Sequence, residues 1–354
     1  MRKFILSMAL AIVSVGAYAQ APVDNCTPAP NKPEIGTKYT YQVAISGGTT
    51  PNNYDGNGVY QWYVTQNGAD LLKDDTANAL DVNNDFFAYK GGSPYNSTAN
   101  TGTTNSIDLE WKPNALMETR PFYLVLKYSE DNTVCLGKNV KVMKINPLNN
   151  FKLTITPVKN SDGDPFANPD DAKVCSSEVT SASIVGDKVK YVYGETKLYY
   201  KVKMTGFTGS WKPTIYLPEL KGTTSIASPA DGNYVPRKYT SVKWNVGTTG
   251  AFETFANVAN NGTAQDIISE NATNKQEFIL EVTIDNGTYE GLTDEAIAVA
   301  TKGQMVLANN SLGKRDVDDN CNEIADDNNK KANQKILARP TVTATSGNFI
   351  IQIQ

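Results

Sequence analysis

The feature that most constrains this chain is the alternation of apolar and polar residues at every second position. In Ile107–Trp111 the Ile, Leu and Trp side chains alternate strictly with acidic ones. Because successive side chains of a β-strand point to opposite faces, this pattern predicts strands with one buried and one wet face. The same alternation recurs in 39–45, 60–64, 122–128, 198–204, 242–246 and 278–284. We therefore predict an all-β protein of antiparallel sheets packed face to face.

The order of these segments predicts two tandem antiparallel β-sandwich domains. Each half contains, in turn, an early Cys, a Tyr-x-Val strand, a Trp segment, further alternating strands and a late Cys. The first domain is predicted over residues 20–150 and the second, larger one over 151–354. In this comparison 107–111 corresponds to 242–244 and 122–128 to 278–284, and an insertion at 286–315 enlarges the second copy. The alternative is that two all-β halves resemble each other because alternation is generic.

The first 19 residues have the three parts of a secretory signal peptide. Arg2 and Lys3 supply positive charge, residues 4–15 form an apolar run, and residues 17–19 read Ala-Tyr-Ala. The apolar run is too short to span a bilayer, and no later segment approaches that length. We therefore predict that residues 1–19 are removed during export and that the mature protein has no transmembrane segment.

Export places the chain in an oxidising compartment, where its four cysteines are expected to form two disulfides. Four cysteines allow three pairings, and the sequence alone does not choose among them. The repeated order of parts favours Cys26–Cys135 in the first domain and Cys175–Cys321 in the second. The alternative is a set of buried free thiols.

The composition excludes large classes of enzyme. The chain of 354 residues contains no His, which rules out Ser-His-Asp triads, Cys-His dyads and His-ligated zinc or copper sites. The net charge of -4 does not favour a nucleic-acid partner. Asp108 and Glu110 could form the carboxylate pair of a glycosidase, but their strand phase places them on the wet face. We predict a protein that is not an enzyme.

An acidic run near the second late Cys is a candidate calcium site. Asp316, Asp318 and Asn320 supply oxygen ligands at alternating positions, and Asp327 stands where a bidentate carboxylate would follow. Cys321 occupies the position at which a helical calcium loop requires Gly. The alternative is a solvated acidic loop around a disulfide, and we expect no other cofactor.

Aromatic residues suggest either core packing or a sugar-binding platform. Trp62, Trp111 and Trp244 are in phase with apolar strand neighbours, which favours the core, whereas Trp211 opens a segment broken by proline. Four tyrosines that are out of phase or in loops are the candidates for a glycan-binding platform: Tyr54, Tyr63, Tyr95 and Tyr234.

Three segments of the first half carry a family resemblance. They are Val59–Val64 (VYQWYV), Gly102–Trp111 (GTTNSIDLEW) and the late Cys135. In this order they resemble the PKD-like or immunoglobulin-like domains of secreted bacterial surface proteins. The signal peptide is similar to those of bacteria with type IX secretion and gliding-motility machinery. The resemblance implies a building block of adhesins and surface assemblies.

One departure from that family affects the expected location. Cargo of type IX secretion usually ends in a dedicated sorting domain, and residues 346–354 (SGNFIIQIQ) do not resemble one. The expectation is therefore a protein of the periplasm or cell surface of a Gram-negative bacterium, held there by a partner.

The function predicted from the sequence is a non-catalytic interaction protein. It would be an accessory or assembly subunit of an adhesin, a gliding-motility apparatus or a secretion apparatus, with a protein partner at the outer membrane or cell surface. Loops and strand edges, including strand addition, would supply the contacts. The alternatives are a carbohydrate-binding surface module, with a glycan partner, and a hydrolase.

Overall fold

A computed structural model describes residues 26–48, 53–69, 71, 79–80, 84–90, 101–131, 136–186, 188–223, 234–247, 250–323 and 330–341. Within these ranges the regular structure consists of strands and two short 3₁₀ helices, which confirms the all-β prediction. None of the described helices has the length and hydropathy needed to cross a membrane.

The strands before residue 150 form two antiparallel sheets. They are β1 (Lys38–Gln42), β2 (Val59–Thr65), β3 (Phe87–Tyr89), β4 (Thr101–Gly102), β5 (Ser106–Trp111), β6 (Phe122–Asp131) and β7 (Leu136–Ile145), with a 3₁₀ helix at Pro113–Met117. One sheet has the order β1-β5-β3 and the other β4-β2-β6-β7. As predicted, β5 buries its apolar residues, while Asp108 and Glu110 lie on the other face in ion pairs with Lys38 at 3.0 Å and Lys90 at 3.2 Å.

The strands after residue 150 form a second pair of sheets and a separate hairpin. They are β8 (Lys152–Val158), β9 (Lys173–Val174), β10 (Val179–Val185), β11 (Lys188–Tyr193), β12 (Glu195–Thr205), β13 (Trp211–Leu217), β14 (Lys238–Trp244), β15 (Glu253–Ala256), β16 (Gln265–Ile268), β17 (Glu277–Asp285), β18 (Glu295–Val306), β19 (Leu312–Arg315) and β20 (Lys331–Ile336), with a 3₁₀ helix at Pro169–Asp171. The orders are β15-β14-β17-β12-β8 and β16-β13-β18-β20-β9, and β19 also pairs with β18. The β10-β11 hairpin forms a two-stranded sheet of its own, and β9 joins β20 in parallel.

Both sandwiches have the strand pairing of an immunoglobulin domain, in which an A-B-E-D sheet packs on a C-F-G sheet. In the second sandwich β8-β12-β17-β14 form the first sheet and β13-β18-β20 the second. In the first sandwich β1-β5-β3 take the positions B-E-D, and β2-β6-β7 take C-F-G. The two halves therefore share one pairing pattern.

Strand pairing corrects the correspondence expected between the halves. The match of 122–128 with 278–284 is wrong, because β6 is the equivalent of β18, whereas β17 is the equivalent of β5. The match of 107–111 with 242–244 is wrong for the same reason. Residues 286–315 are not an insertion, since they contain the central strand β18. Alternation is the same in every strand, so order along the chain did not identify which strands pair.

One strand of the second sandwich, β8, has no counterpart among the described residues of the first. It occupies the A position, pairing along β12 from Val158 opposite Tyr199 to Lys152 opposite Thr205. It also closes the side of the sandwich toward β20, where Gln334 Nε2 donates to the carbonyl oxygen of Val158 at 3.1 Å. In the described part of the first sandwich, β1 is the end of its sheet, so its outer edge is not paired by a strand.

The buried residues of the two sandwiches form one continuous apolar core. All four tryptophans are in it, and the exposed fraction of each is at most 3%. Trp211 opens β13 despite the following proline, and its ring lies 5.9 Å from Phe278 and 5.8 Å from Phe151, between the centroids. The prediction that in-phase tryptophans are core residues is confirmed, and it extends to Trp211.

The disulfide in the structure differs from the predicted pairs. Cys26 is bonded to Cys321, and Cys175 is an exposed free thiol. Cys135 lies outside the described residues. The predicted pairs are wrong because Cys26 belongs to a segment at the junction of the sandwiches, where Glu34 accepts a hydrogen bond from Asn150. Cys321, in the loop after β19, lies at the same junction, so the bond joins the two sandwiches rather than stapling either one.

We predict that non-reducing peptide mapping of the folded protein will yield a Cys26–Cys321 linked peptide. Replacement of Cys321 by Ser should lower the thermal midpoint, because the cross-link restricts the unfolded chain; the loss is bounded at about 5 kcal/mol. Cys175→Ser is the control and should leave the midpoint unchanged. A Cys175–Cys321 peptide would contradict this connectivity.

A buried ion pair fixes the end of the second sandwich that is remote from the first. Arg237 is 2% exposed, and its guanidinium pairs with the carboxylate of Glu295. Arg237 Nε donates to Asn286 Oδ1 at 3.0 Å, and the guanidinium lies 4.7 Å from the ring centroid of Tyr289. Asn286 in turn donates to the carbonyl of Gly194 at the base of the β10-β11 hairpin, at 2.7 Å. The hairpin base is thus tied to the sandwich by fully paired polar groups.

We predict that Glu295→Gln will lower the free energy of unfolding by about 3–5 kcal/mol, because it leaves Arg237 buried without a counter-charge. Urea denaturation measures this loss. The control is Glu277→Gln, since the Glu277 carboxylate forms a surface pair with Lys201 at 3.2 Å that should contribute at most about 1 kcal/mol. Equal losses of unfolding free energy in the two variants would show that the buried ion pair stabilises the protein no more than the surface pair does.

Candidate functional site

Three adjoining cavities follow the side of the first sandwich between β1 and β7. Their volumes are about 290, 310 and 330 Å³. Leu126 and Lys141 line both the first and the second cavity, and Tyr128 and Asn139 line both the second and the third. The cavities therefore form one continuous channel, here named the β1-β7 groove. Its walls are residues 40–46 on one side and 137–141 with Met143 on the other, and its floor is Trp62, Leu124, Leu126 and Tyr128.

The groove exists because the described residues leave part of the inward face of β7 uncovered. Met143 and Lys141 lie opposite Leu124 and Leu126 of β6, so they share the face that points toward the core. Yet Met143 is 38% exposed, whereas Ile145 on the same face is fully buried. Inward positions of a closed sandwich are covered by the facing sheet. The facing sheet ends at β1, which leaves a gap where strand A would lie.

The backbone of β1 also turns toward the groove. The Val43 N–H donates to the carbonyl of Asn105, at 3.0 Å, on the β5 side. Because successive residues of a strand point their backbone groups to opposite sides, the N–H and C=O groups of Thr40 and Gln42 in β1 point away from β5. Both residues line the groove. A row of backbone donors and acceptors beside an apolar floor is the arrangement that accepts an added strand.

At the end of the groove that Tyr54 lines, a carboxylate holds the neighbouring turn in place. Glu130 accepts a hydrogen bond from the Tyr128 hydroxyl and from the N–H groups of Asp55 and Gly56, both at 3.2 Å. These hydrogen bonds, that of Tyr128 first, lower the pKa of Glu130 to about 2. Burial raises the pKa of the Tyr128 hydroxyl, which stays protonated as the donor. The clamp fixes the 54–58 turn over the end of β6.

We predict that the stability difference between the wild type and Glu130→Gln depends on pH. The folded pKa of Glu130 lies below its ordinary value of 4.5, so its contribution is complete above about pH 5 and is lost as the pH falls toward 2. Urea denaturation at pH 7 and at pH 2.5 measures this. The difference should be clear at pH 7 and small at pH 2.5. A difference that stays constant over this range would show that the carboxylate charge does not stabilise the turn.

The predicted tyrosine platform is not assembled among the described residues. Tyr54 lines the far end of the groove, against Gly137. Tyr63 is 4% exposed and donates to the carbonyl of Leu71 at 3.1 Å, so its prediction as a sugar-stacking residue is wrong, because its ring is buried. Tyr234 lies in the second sandwich, where its hydroxyl donates to the carbonyl of Gly222. Tyr95 lies outside the described residues.

The predicted calcium ligands do not converge on one point. Asp316 is buried, accepts the N–H of Gly303 at 2.8 Å and lies 3.7 Å from Lys330 Nζ; burial raises its pKa. Asp318 instead accepts the N–H groups of Asn320 and Asn322, both at 2.9 Å, and these bonds lower its pKa.

The remaining predicted calcium ligands are Asn320 and Asp327. Asn320 is exposed and Asp327 lies outside the described residues. No group of three or more His, Cys, Asp or Glu side chains in the described ranges could hold a metal ion. In the described part of the acidic run, Asp316 forms an ion pair with Lys330, and Asp318 holds a turn through hydrogen bonds to the backbone.

Sequence reasoning missed the groove, although β7 carries a signal for it. The alternating Val140 and Val142 indicate an apolar buried face of that strand, but they pair with Lys127 and Val125 on the outer face of the sheet. The inward positions include Asn139 and Lys141, which are polar and exposed. Polar residues at the inward-facing positions of a strand indicate that its own sandwich does not bury that face.

No protein-family model matches this chain, and no curated protein matches it. One solved structure to which it is similar is CfaE, the adhesive subunit of CFA/I fimbria of enterotoxigenic Escherichia coli, with 9% identity and a TM-score of 0.27, covering 89% of this chain and 82% of CfaE. A second is the collagen adhesin of S. aureus, with 9% identity and a TM-score of 0.22, covering 88% and 90%. A third is AvmM, which catalyses macrocyclization in alchivemycin A biosynthesis, with 8% identity and a TM-score of 0.25, covering 55% and 93%. TM-scores this low assign neither a partner nor an activity.

Proposed function

We propose that this chain is an exported, non-catalytic interaction protein whose first sandwich receives an extended strand from a protein partner. The observation that carries the proposal is the β1-β7 groove. It combines the outer edge of β1 with an apolar floor at the position that β8 fills in the second sandwich. The strand β8 in the second sandwich supports an extended segment as the element that would fit the space in the first.

The chemistry of strand addition supplies both affinity and selectivity. Each backbone hydrogen bond to the β1 edge contributes about 0.5–1.5 kcal/mol, and each large apolar side chain buried on the floor about 1.5–3 kcal/mol. Part of this gain offsets the cost of ordering the bound segment. Since alternate residues of a strand point to one face, the groove selects for apolar residues at every second position.

The biological setting belongs to the same proposal. We assign the protein to the periplasm or cell surface of a Gram-negative bacterium, as an accessory or assembly subunit of an adhesin, gliding-motility or secretion apparatus. The support is the predicted signal peptide and the resemblance of the first half to modules of secreted surface proteins. A partner at the outer membrane would present the inserted strand.

The two other functions considered find less support in the described residues. A carbohydrate platform needs several exposed aromatic faces, and of the three described candidates only Tyr54 lines the groove. A hydrolase needs a carboxylate pair around a substrate cleft, and Asp108 and Glu110 are each held by a surface lysine.

We predict that a fluorescent seven-residue peptide with apolar residues at its second, fourth and sixth positions will bind to the folded protein. Fluorescence anisotropy gives the dissociation constant. Met143→Arg places a charge at an exposed position on the groove wall and should weaken binding at least about tenfold, about 1.4 kcal/mol. Ile268→Arg is the matched control, because Ile268 is 58% exposed on the edge strand β16 of the second sandwich.

The control should leave peptide binding unchanged. Equal binding to the wild type and to Met143→Arg would show that the peptide does not use the groove, and so would a peptide of the same composition in scrambled order that binds equally well.

A further inference from the structure

We propose that the occupant of the β1-β7 groove is the segment Asn348–Gln354 of a second copy of this chain, so that copies join head to tail. This inference rests on the proposed function, because it names the partner strand for that groove. The segment lies outside the described residues, and the case for it comes from its sequence, from the shape of the groove and from where the described chain ends.

The segment has the residue pattern that the groove requires. Phe349, Ile351 and Ile353 stand at alternating positions, and residues 340–354 contain no charged side chain. Seven extended residues span about 23 Å, and the groove wall from Thr40 to Ser46 also contains seven residues. The three apolar residues thus match the three adjoining cavities in number.

The strand that fills the equivalent position in the second sandwich has the same pattern. β8 buries Leu153 and Ile155 at alternating positions and leaves Thr154 and Thr156 exposed. In the segment 348–354, Phe349, Ile351 and Ile353 would take the inward positions. The inward side chains have similar size and chemistry, and the duplicated sandwich thereby provides an internal template for the missing strand.

The described chain ends at the pole of the molecule that is remote from the groove. The N–H of Arg339 donates to the carbonyl of Gly291 at 2.9 Å, and its guanidinium lies 3.9 Å from the ring centroid of Tyr193, at the hairpin base. This is the Glu295 end of β18, because Glu295 pairs with Ile336. The other end of β18 points toward the first sandwich.

The segment is too short to reach the groove of its own chain. β18, from residue 295 to 306, is about 36 Å long, and the groove lies beyond its far end. With residues 348–354 in the groove, only residues 342–347 remain to connect residue 341 to residue 348, and these seven steps reach at most about 25 Å when fully extended. Insertion into a neighbouring copy requires no such return path.

Other parts of this chain fit the groove less well. Residues 20–25 (QAPVDN) contain Pro22 and Asp24 and a single large apolar residue, so they cannot supply three alternating apolar side chains. The β11 strand of the exposed hairpin carries Lys188 and Lys190, and the groove wall carries Lys138 and Lys141, so their charges repel. An uncharged strand avoids this repulsion.

Cross-linking between two marked variants tests the proposal. Both variants carry Cys135→Ser and Cys175→Ser and keep the Cys26–Cys321 disulfide. The donor adds Ile353→Cys and Met143→Arg, which blocks its own groove. The acceptor adds Val43→Cys and Ile351→Asp, which blocks its own segment. We expect a disulfide-linked dimer with one donor and one acceptor on mixing, identified by mass spectrometry, and none from either variant alone.

A matched acceptor with Ile268→Cys in place of Val43→Cys serves as the control and should give little cross-link. Sedimentation velocity supplies a second measurement: the wild type should form concentration-dependent chains, and Ile351→Asp should stay monomeric. Circular dichroism checks that each variant is folded.

Two results would overturn the inference. One is equal cross-linking at positions 43 and 268. The other is a disulfide between positions 43 and 353 within one chain, in a variant that carries both Val43→Cys and Ile353→Cys. The alternating peptide described above separates the two proposals. If it binds in the groove while the segment does not, another protein supplies the strand and the proposed function stands. If neither binds, both proposals fail.

Discussion

The structure depends on one constraint, which is that the backbone donors and acceptors of every strand need partners. In the second sandwich this need is met at the edge of β12 by β8. In the first sandwich the corresponding edge of β1 has no strand beside it within the described ranges. The exposed Met143 and the apolar floor at Leu124 and Leu126 follow from the same missing strand. One unfilled position thus accounts for the main surface feature of the molecule.

The fold class and the buried faces could be predicted from the sequence, because the two-residue period of a strand is a local property. Ile107, Leu109 and Trp111 are buried as their alternation indicates, and Asp108 and Glu110 lie on the opposite face. The partner of each strand is not a local property. The equivalence of β17 with β5 and the Cys26–Cys321 bond both depend on which segments meet in space, and the order of residues along the chain carried no information on that.

The groove was also beyond local reasoning, for a related reason. Val140 and Val142 look like the buried face of a strand, and only their pairing with Lys127 and Val125 shows that they face outward. The predicted ligand Asp316 is likewise a buried partner of Lys330, because the chain turns at Val317 into the junction between the sandwiches. In both cases the sequence indicates the chemical type of the side chain, apolar or anionic. It does not give the direction in which that side chain points.

The Cys26–Cys321 bond has a mechanical consequence for a protein that is held at its first sandwich and pulled from its last residues. Tension that enters at β1 reaches Cys26 and passes directly through the sulfur atoms to Cys321, so it bypasses the polypeptide between them. The strands from β2 to β19 lie inside this covalent loop and are shielded from extension. The length that such a load can draw out is limited to residues 27–37, between the cross-link and β1, and to the residues after Cys321, whatever the strength of the packing between the two sandwiches.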